Sequence, residues 1–262
     1  MTVRADDGGA DLTGESGRSR SVAVVTGGGR GIGAATARLL AAAGCDVAIG
    51  YRRRMDEAER VAAACRAEGV RAVPVRADLA DPRELARLFA TVDAELGPLS
   101  VLVNNAGIVP PAGRVETYDA ARVRHVLDTN VTSVVLACGE AVRRMSTRHG
   151  GAGGVIVNVS SIAARLGAAG EYVDYAASKA AVDTLTTGLA REVVSEGVRV
   201  VGVRPGTVDT DIHAPGRLER VTERLPLGRP ASVDEVASAI AWLAVSAAPY
   251  TTGAILDVCG AG

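Results

Sequence analysis

Lysine is nearly absent from this chain. Of its 29 basic residues, all but Lys179 are Arg. Aromatic side chains are also few, 3% of 262 residues, too few for the stacking platform that holds single-stranded nucleic acid. No excess of one charge exists either. The 29 basic and 30 acidic residues leave a net charge of −1, and Arg alternates with Asp and Glu, so nothing in the charge draws nucleic acid or an anionic membrane. The four Cys (Cys45, Cys65, Cys138 and Cys259) form no CxxC pair. Three of them lie among Ala, Val and Leu and read as small buried thiols. His125, His149 and His213 are scattered, with no metal-ligand spacing. No apolar run reaches the ~20 residues of a membrane helix, and residues 1–20 lack the apolar core of a secretory leader. Those twenty residues are Gly, Ser, Asp and Arg with little to bury, and are expected to form a flexible tail before one domain, 21–262. A cytoplasmic location, with no nucleic-acid or membrane partner, is the expectation.

Present instead is an alternation. Short apolar runs at 21–27, 45–51, 70–78, 99–107, 153–161, 197–206 and 253–258 read as buried strands. Between them lie helical segments at 31–44, 55–68, 81–96, 117–148, 173–196 and 232–246. Asp81-Pro82 reads as a helix cap with Pro in the first turn. Strand and helix in turn imply parallel strands joined by right-handed crossovers. The expected architecture is α/β, a single-domain, Rossmann-type, doubly wound parallel sheet of about seven strands with helices on both faces. Ligands bind beyond the carboxyl ends of such strands, where every unusual cluster of this sequence falls.

The first strand ends in "TGGGRGIG", 26–33. Gly27, Gly31 and Gly33, with Ile32 between the last two, allow a tight turn and a close approach to a pyrophosphate at the next helix N-terminus. A Gly-rich turn can be a plain loop, but this one follows a strand and opens a helix. At the end of the second strand an acid would accept a ribose 2′-hydroxyl. "IGYRRR", 49–54, has three Arg there and no acid. Guanidinium suits phosphate, so NADP (NADPH) is the expected cofactor, with Arg30 and Arg52 nearest its 2′-phosphate and Arg53 as a substitute. A solvated approach to the helix is the competing account of the Arg run.

With "TGGGRGIG", Asp78 in "ADLAD", "NNAG" (104–107), Asn130, "VSS" (159–161), "YAASK" (175–179), "RPG" (204–206) and "PLGRP" (226–230) in this order, the chain resembles the short-chain dehydrogenase/reductase family from about residue 21 to 260. Its branch is similar to 3-oxoacyl-carrier-protein reductases and glucose dehydrogenases. The resemblance implies that Asp78 and Leu79 contact the adenine, and that Asn104, Ala106 and Gly107 line the cofactor and brace the central strand. Pro205, Gly206, Val208 and Thr210 would hold the nicotinamide amide and phosphates. The family's catalytic Ser maps to the second of its pair. Ser160 and Ser161 alternate on the strand, so one faces the site, and Ser161 is the choice.

The chemistry explains the one Lys. Moving a hydride between an alcohol and a nicotinamide requires a proton donor and acceptor beside the oxygen. Tyr175 can serve, but a free phenol has a pKa of ~10. A cation at i+4 lies on the same helix face and is expected to lower it. Lys179 offers a compact ammonium on a flexible stem that can also reach ribose hydroxyls. The resemblance adds a proton relay ending at a water held by Asn130, and a Ser161 hydroxyl that stabilises the substrate oxygen. Tyr172, seven residues before Lys179, is expected as a substrate-loop contact. A small carbonyl or alcohol is the expected substrate, and a homotetramer or homodimer the expected assembly. Residues 207–230 are expected to form a lid, whose Arg217, Arg220 and Arg224 either meet an acidic substrate or form a solvated face with Glu219 and Glu223. Two alternatives stay open: an NAD-dependent sugar or polyol dehydrogenase, and an NADP-binding sensor without turnover.

Overall fold

The computed structural model describes residues 20–212 and 216–262. In chain order the described residues form β1 (Val22–Val25), α1 (Gly31–Ala42), β2 (Asp46–Tyr51), α2 (Met55–Ala67), β3 (Ala72–Arg76), α3 (Pro82–Glu95), β4 (Leu99–Asn104), α4 (Ala120–Leu127) and α5 (Ser133–Met145). There follow β5 (Gly154–Val159), α6 (Ala163–Leu166), α7 (Val173–Val193), β6 (Val198–Pro205), α8 (Arg217–Thr222), α9 (Val233–Ala241) and β7 (Ile255–Val258). The strands make one sheet in the order β3-β2-β1-β4-β5-β6-β7, and every neighbouring pair is parallel. The expected tail lies outside the described residues except for Arg20, which donates to the Gly69 carbonyl at 2.7 Å.

Alternation along the strands separates two cores. Ala23, Val25, Val47, Ile49 and Val103 pack with α1, α2 and α9 on one face. Val22, Val24, Ala48, Leu102 and Ile156 pack with α3, α5 and α7 on the other. Each strand is therefore apolar at consecutive positions, the signature of a sheet covered twice. Pro74 is accommodated because β3 is the sheet edge, where a missing N–H costs little. Asp81 caps α3 by accepting from the Arg83 N–H at 2.8 Å, with Pro82 in the first turn. Ser232 and Glu235 form a reciprocal capping box on α9.

The single helix expected over 117–148 is not continuous. Asp119 caps a new start by accepting from the Arg122 N–H, and α4 then widens into a π turn, Asp128–Thr132, before α5. Periodicity cannot register one wider turn, because the apolar stripe continues across it. The helix expected at 232–246 likewise ends in a π turn, Trp242–Ser246. The short helices α6 and α8 have too few residues to show a period. Of the expected lid, residues 213–215 lie outside the described residues.

The strand order reverses at β1 and β4, so the chain leaves their carboxyl ends in opposite directions and opens a cleft there. Gly33 makes this close geometry possible. A methyl group on it would overlap the Gly27 carbonyl oxygen and stand 2.5 Å from Asn105 Nδ2. Gly33→Ala is therefore expected to lower stability by about 1–3 kcal/mol through overpacking. Urea unfolding measures it, and an unchanged midpoint would show that the turn and α1 are not in contact.

Candidate active site

A cleft of about 610 Å³ lies across the carboxyl ends of the strands. One half is built for phosphate. Gly27 and Gly31 have φ of 63° and 53°, the left-handed region that glycine tolerates, so the turn passes the cleft as bare backbone. It leads into the N-terminus of α1, whose first turn carries no acidic side chain. Ile32 also lines the cleft, as do Arg30, Arg52, Arg53 and Arg54. Backbone N–H groups at an uncapped helix start, flanked by guanidinium groups, fit a dinucleotide that bears an additional phosphate. Arg30 is ion-paired with Asp211, and Arg54 donates to Glu57 at 2.8 Å. Asp78 and Leu79 form the adjoining rim, and Pro205, Gly206, Val208 and Thr210 border the cleft from the end of β6.

The other half converges on α7. Its start is held by Asp174, whose buried carboxylate accepts from Arg122 Nε at 2.8 Å and Nη2 at 3.2 Å. That guanidinium stacks over Tyr118, 3.8 Å from the ring centroid. Tyr175 faces the cleft, half-buried, and Ser161 lines the same cleft. Tyr172 meets it edge-on at 5.6 Å and also lines the cleft. Ser160 and Ser161 divide as strand alternation requires. Ser160 turns inward and donates to the Lys179 carbonyl at 3.0 Å.

Lys179 is 5% exposed, and its ammonium donates to the Val159 carbonyl at 2.9 Å. Burial pulls its pKa down to about 8, against the opposing charge of Asp183. Burial pushes the Tyr175 phenol up from its ordinary value, while the Ser161 hydrogen bond and the Arg217 charge act to lower it. Burial outweighs the influences expected to lower the phenol. The Lys179 Nζ stands 5.8 Å from the ring centroid and is turned toward the end of β5.

Three expected site residues lie beneath the cleft instead of on it. Asn104 pairs in register with Asn158 and donates to its Oδ1 at 2.9 Å, so it braces β4 against β5 and does not line the cofactor surface. Asn105 lines the cleft in its place, donating to the Thr26 and Gly27 carbonyls at 3.0 and 3.2 Å. Sequence reasoning passed over Asn105, although the alternation of β4 could have separated the two. Gly33 is buried by its packing role. Asn130 is 0% exposed. Its amide accepts from the Ile108 N–H and donates to the Ile108 carbonyl, both at 2.9 Å, and donates to Ser178 Oγ at 3.1 Å. The π turn brings Asn130 under this loop, an irregularity of a kind that recurs at functional sites. Ala106 and Gly107 line the cleft above it. A methyl on Gly107 would stand 3.3 Å from Asn130 Oδ1 and 3.4 Å from Lys179 Nζ.

The family profile described as short chain dehydrogenase matches residues 21–220. An uncharacterized oxidoreductase, YgfF of Escherichia coli (strain K12), is 48% identical over 244 residues, covering 92% of this chain and 99% of the relative. A cis-4-hydroxycyclohexanecarboxylate dehydrogenase of Sinomonas cyclohexanicum is 45% identical over 242 residues, 91% of this chain and 95% of the relative. A short chain dehydrogenase of Burkholderia cenocepacia J2315, solved in complex with NADP, superposes with a TM-score of 0.85 at 36% identity. That match covers 93% of this chain and 98% of the other.

The buried Asn130 amide satisfies both backbone polar groups of the partly buried Ile108. Asn130→Ala leaves them unpaired and is expected to cost on the order of 3 kcal/mol of stability. Chemical unfolding tests this. Wild-type stability in the variant would mean that the loop finds its partners elsewhere.

Proposed function

This chain belongs to the short chain dehydrogenase family, and on that premise we propose that it is an NADP(H)-dependent oxidoreductase interconverting a carbonyl and a secondary alcohol. The observation that carries the reading is the convergence of Ser161, the Tyr175 phenol and the largely covered Lys179 ammonium on one cleft. Bound NADPH would supply the hydride, held by the glycine turn and by Arg30, Arg52 and Arg53.

The residues of this chain do the rest. Ser161 donates a hydrogen bond to the substrate carbonyl oxygen and stabilises the charge that develops there. Tyr175 gives its proton to that oxygen, and in the oxidative direction takes it back. A phenol kept protonated by burial is the form the reductive direction needs. Lys179 holds a positive charge, or a donor, next to Gly107 and Val159 on the floor of the cleft. Asn130 acts as a positioning residue, fixing the Ile108 backbone and, through Ser178, the first turns of α7.

Support for NADP comes from the Arg cluster and from the NADP complex of a similar enzyme. A specific observation keeps the NAD reading in view. Asp211 and Glu57 already pair with Arg30 and Arg54, and these acids would oppose a 2′-phosphate unless they turn aside. The reading has the enzyme work in the cytoplasm on a small substrate, as a homodimer or homotetramer. Exposed Val135 and Leu136 on α5 offer apolar surface for a subunit contact.

Nicotinamide absorbance followed with a panel of ketones tests the function. NADPH is expected to be consumed faster than NADH at equal concentration, and Tyr175→Phe to lower kcat by about 10²- to 10⁴-fold. Full turnover in that variant would overturn the acid/base assignment. Binding of NADPH with no oxidation across the panel would favour a sensor, and a clear preference for NADH would favour the NAD-dependent reading.

A further inference from the structure

The carbonyl–alcohol reading makes no use of one cation in the reacting half of the cleft. Arg217, at the start of α8, lines the cleft with its side chain 18% exposed. Its Nη2 donates to Glu171 Oε2 at 3.0 Å. Its guanidinium carbon lies 5.4 Å from the Tyr172 ring centroid, and that ring touches Tyr175. Apolar side chains of Ile108, Val109, Leu166 and Ile212 line the same cleft.

We propose that Arg217 is the specificity residue for a substrate bearing a carboxylate, separated from its carbonyl or hydroxyl carbon by a short apolar spacer, with that carboxylate replacing Glu171 on the guanidinium. The inference rests on the carbonyl–alcohol reading and adds the substrate class to it. A largely covered cation favours a counter-charge, and Glu171 is one of its partners in the resting molecule. Burial acts to raise the Glu171 carboxyl, but hydrogen bonds with Arg217 and Tyr172, and the charges of Arg217 and Arg220, bring it below its ordinary value. Glu171 is therefore an anion, and with its side chain 44% exposed it can turn to water. A substrate carboxylate taking its place keeps the charge count unchanged and gains a planar fork that matches it. A phosphate dianion would bring a second charge against apolar walls. Arg217 and Tyr175 each contact the Tyr172 ring, so a short substrate can meet both the guanidinium and the phenol.

The test uses the full chain with saturating NADPH, and with NADH in parallel. Paired ketones, 4-oxocyclohexanecarboxylate and 4-oxopentanoate with the methyl ester of each, separate the two claims. The wild type is expected to prefer an acid over its ester. Arg217→Gln is expected to lower the acid-to-ester ratio of kcat/KM by about 10- to 100-fold, chiefly through KM for the acid. Arg217→Lys should recover part of the ratio, and Glu171→Gln should raise it by removing the competing carboxylate. Thermal melts establish that each variant is folded. Equal loss on acid and ester in Arg217→Gln, or no preference for either acid in the wild type, overturns the proposal while the carbonyl–alcohol reading stands. No oxidation of either cofactor with any of the four ketones counts against both.

Discussion

A buried ammonium is the constraint around which this site is organised. Lys179 comes from the second turn of α7 and reaches the end of β5, where the Val159 carbonyl accepts from it. The neighbouring loop passes close by at Gly107, where an added methyl would stand 3.4 Å from the ammonium. That loop holds its course because the Asn130 amide takes both polar groups of Ile108, and Asn130 is delivered by a π turn in the α4–α5 helix. Segments distant in sequence thus meet around one largely covered charge. Removing a charge from water is costly unless its partners are in position, so the fold has to hold these segments together. The phenol of Tyr175 takes its place one helical turn earlier on the same face.

The cleft has a second organising feature. The segment that follows β6 is tied to both of its walls by ion pairs. Asp211 reaches Arg30 at the glycine turn, and Arg217 reaches Glu171 beside α7. Its root is fixed more firmly, by the Val208 bridge to Ala231 and the exchange of backbone bonds there. The Arg30–Asp211 pair is exposed and contributes about 0–1 kcal/mol, whereas Arg217 of the second pair is largely covered. The two halves of the cleft each hold one Arg–carboxylate pair, Arg30 with Asp211 and Arg217 with Glu171.

Much of this was legible in the sequence, for identifiable reasons. The seven strands showed themselves because a sheet covered on both faces needs apolar residues at consecutive positions, and Ala23 and Val24 each find a core. The glycine turn was readable because only Gly accepts the backbone of Gly27 and Gly31. Lys179 stood out by composition. What escaped was set by side-chain direction. "NNAG" does not say which Asn turns to the cleft, and the register of β4 with β5 turns Asn104 inward to Asn158. The π turn at Asn130 leaves no periodic trace. The i, i+4 spacing of Tyr175 and Lys179 gave the right face, but not the carbonyl at the end of β5 to which the ammonium donates. Glu171 and Arg217 meet across 46 residues, a pairing that local pattern does not report.

Having one lysine makes the central claim directly measurable. In protein labelled with ¹⁵N-lysine the only side-chain ammonium resonance belongs to Lys179, and its titration can be followed by nuclear magnetic resonance. The account predicts a midpoint of about 8, below the ordinary 10.5, and a displaced resonance when NADPH is added. An ordinary midpoint, with no response to the cofactor, would mean that this ammonium lies in water and that the site is not built as described.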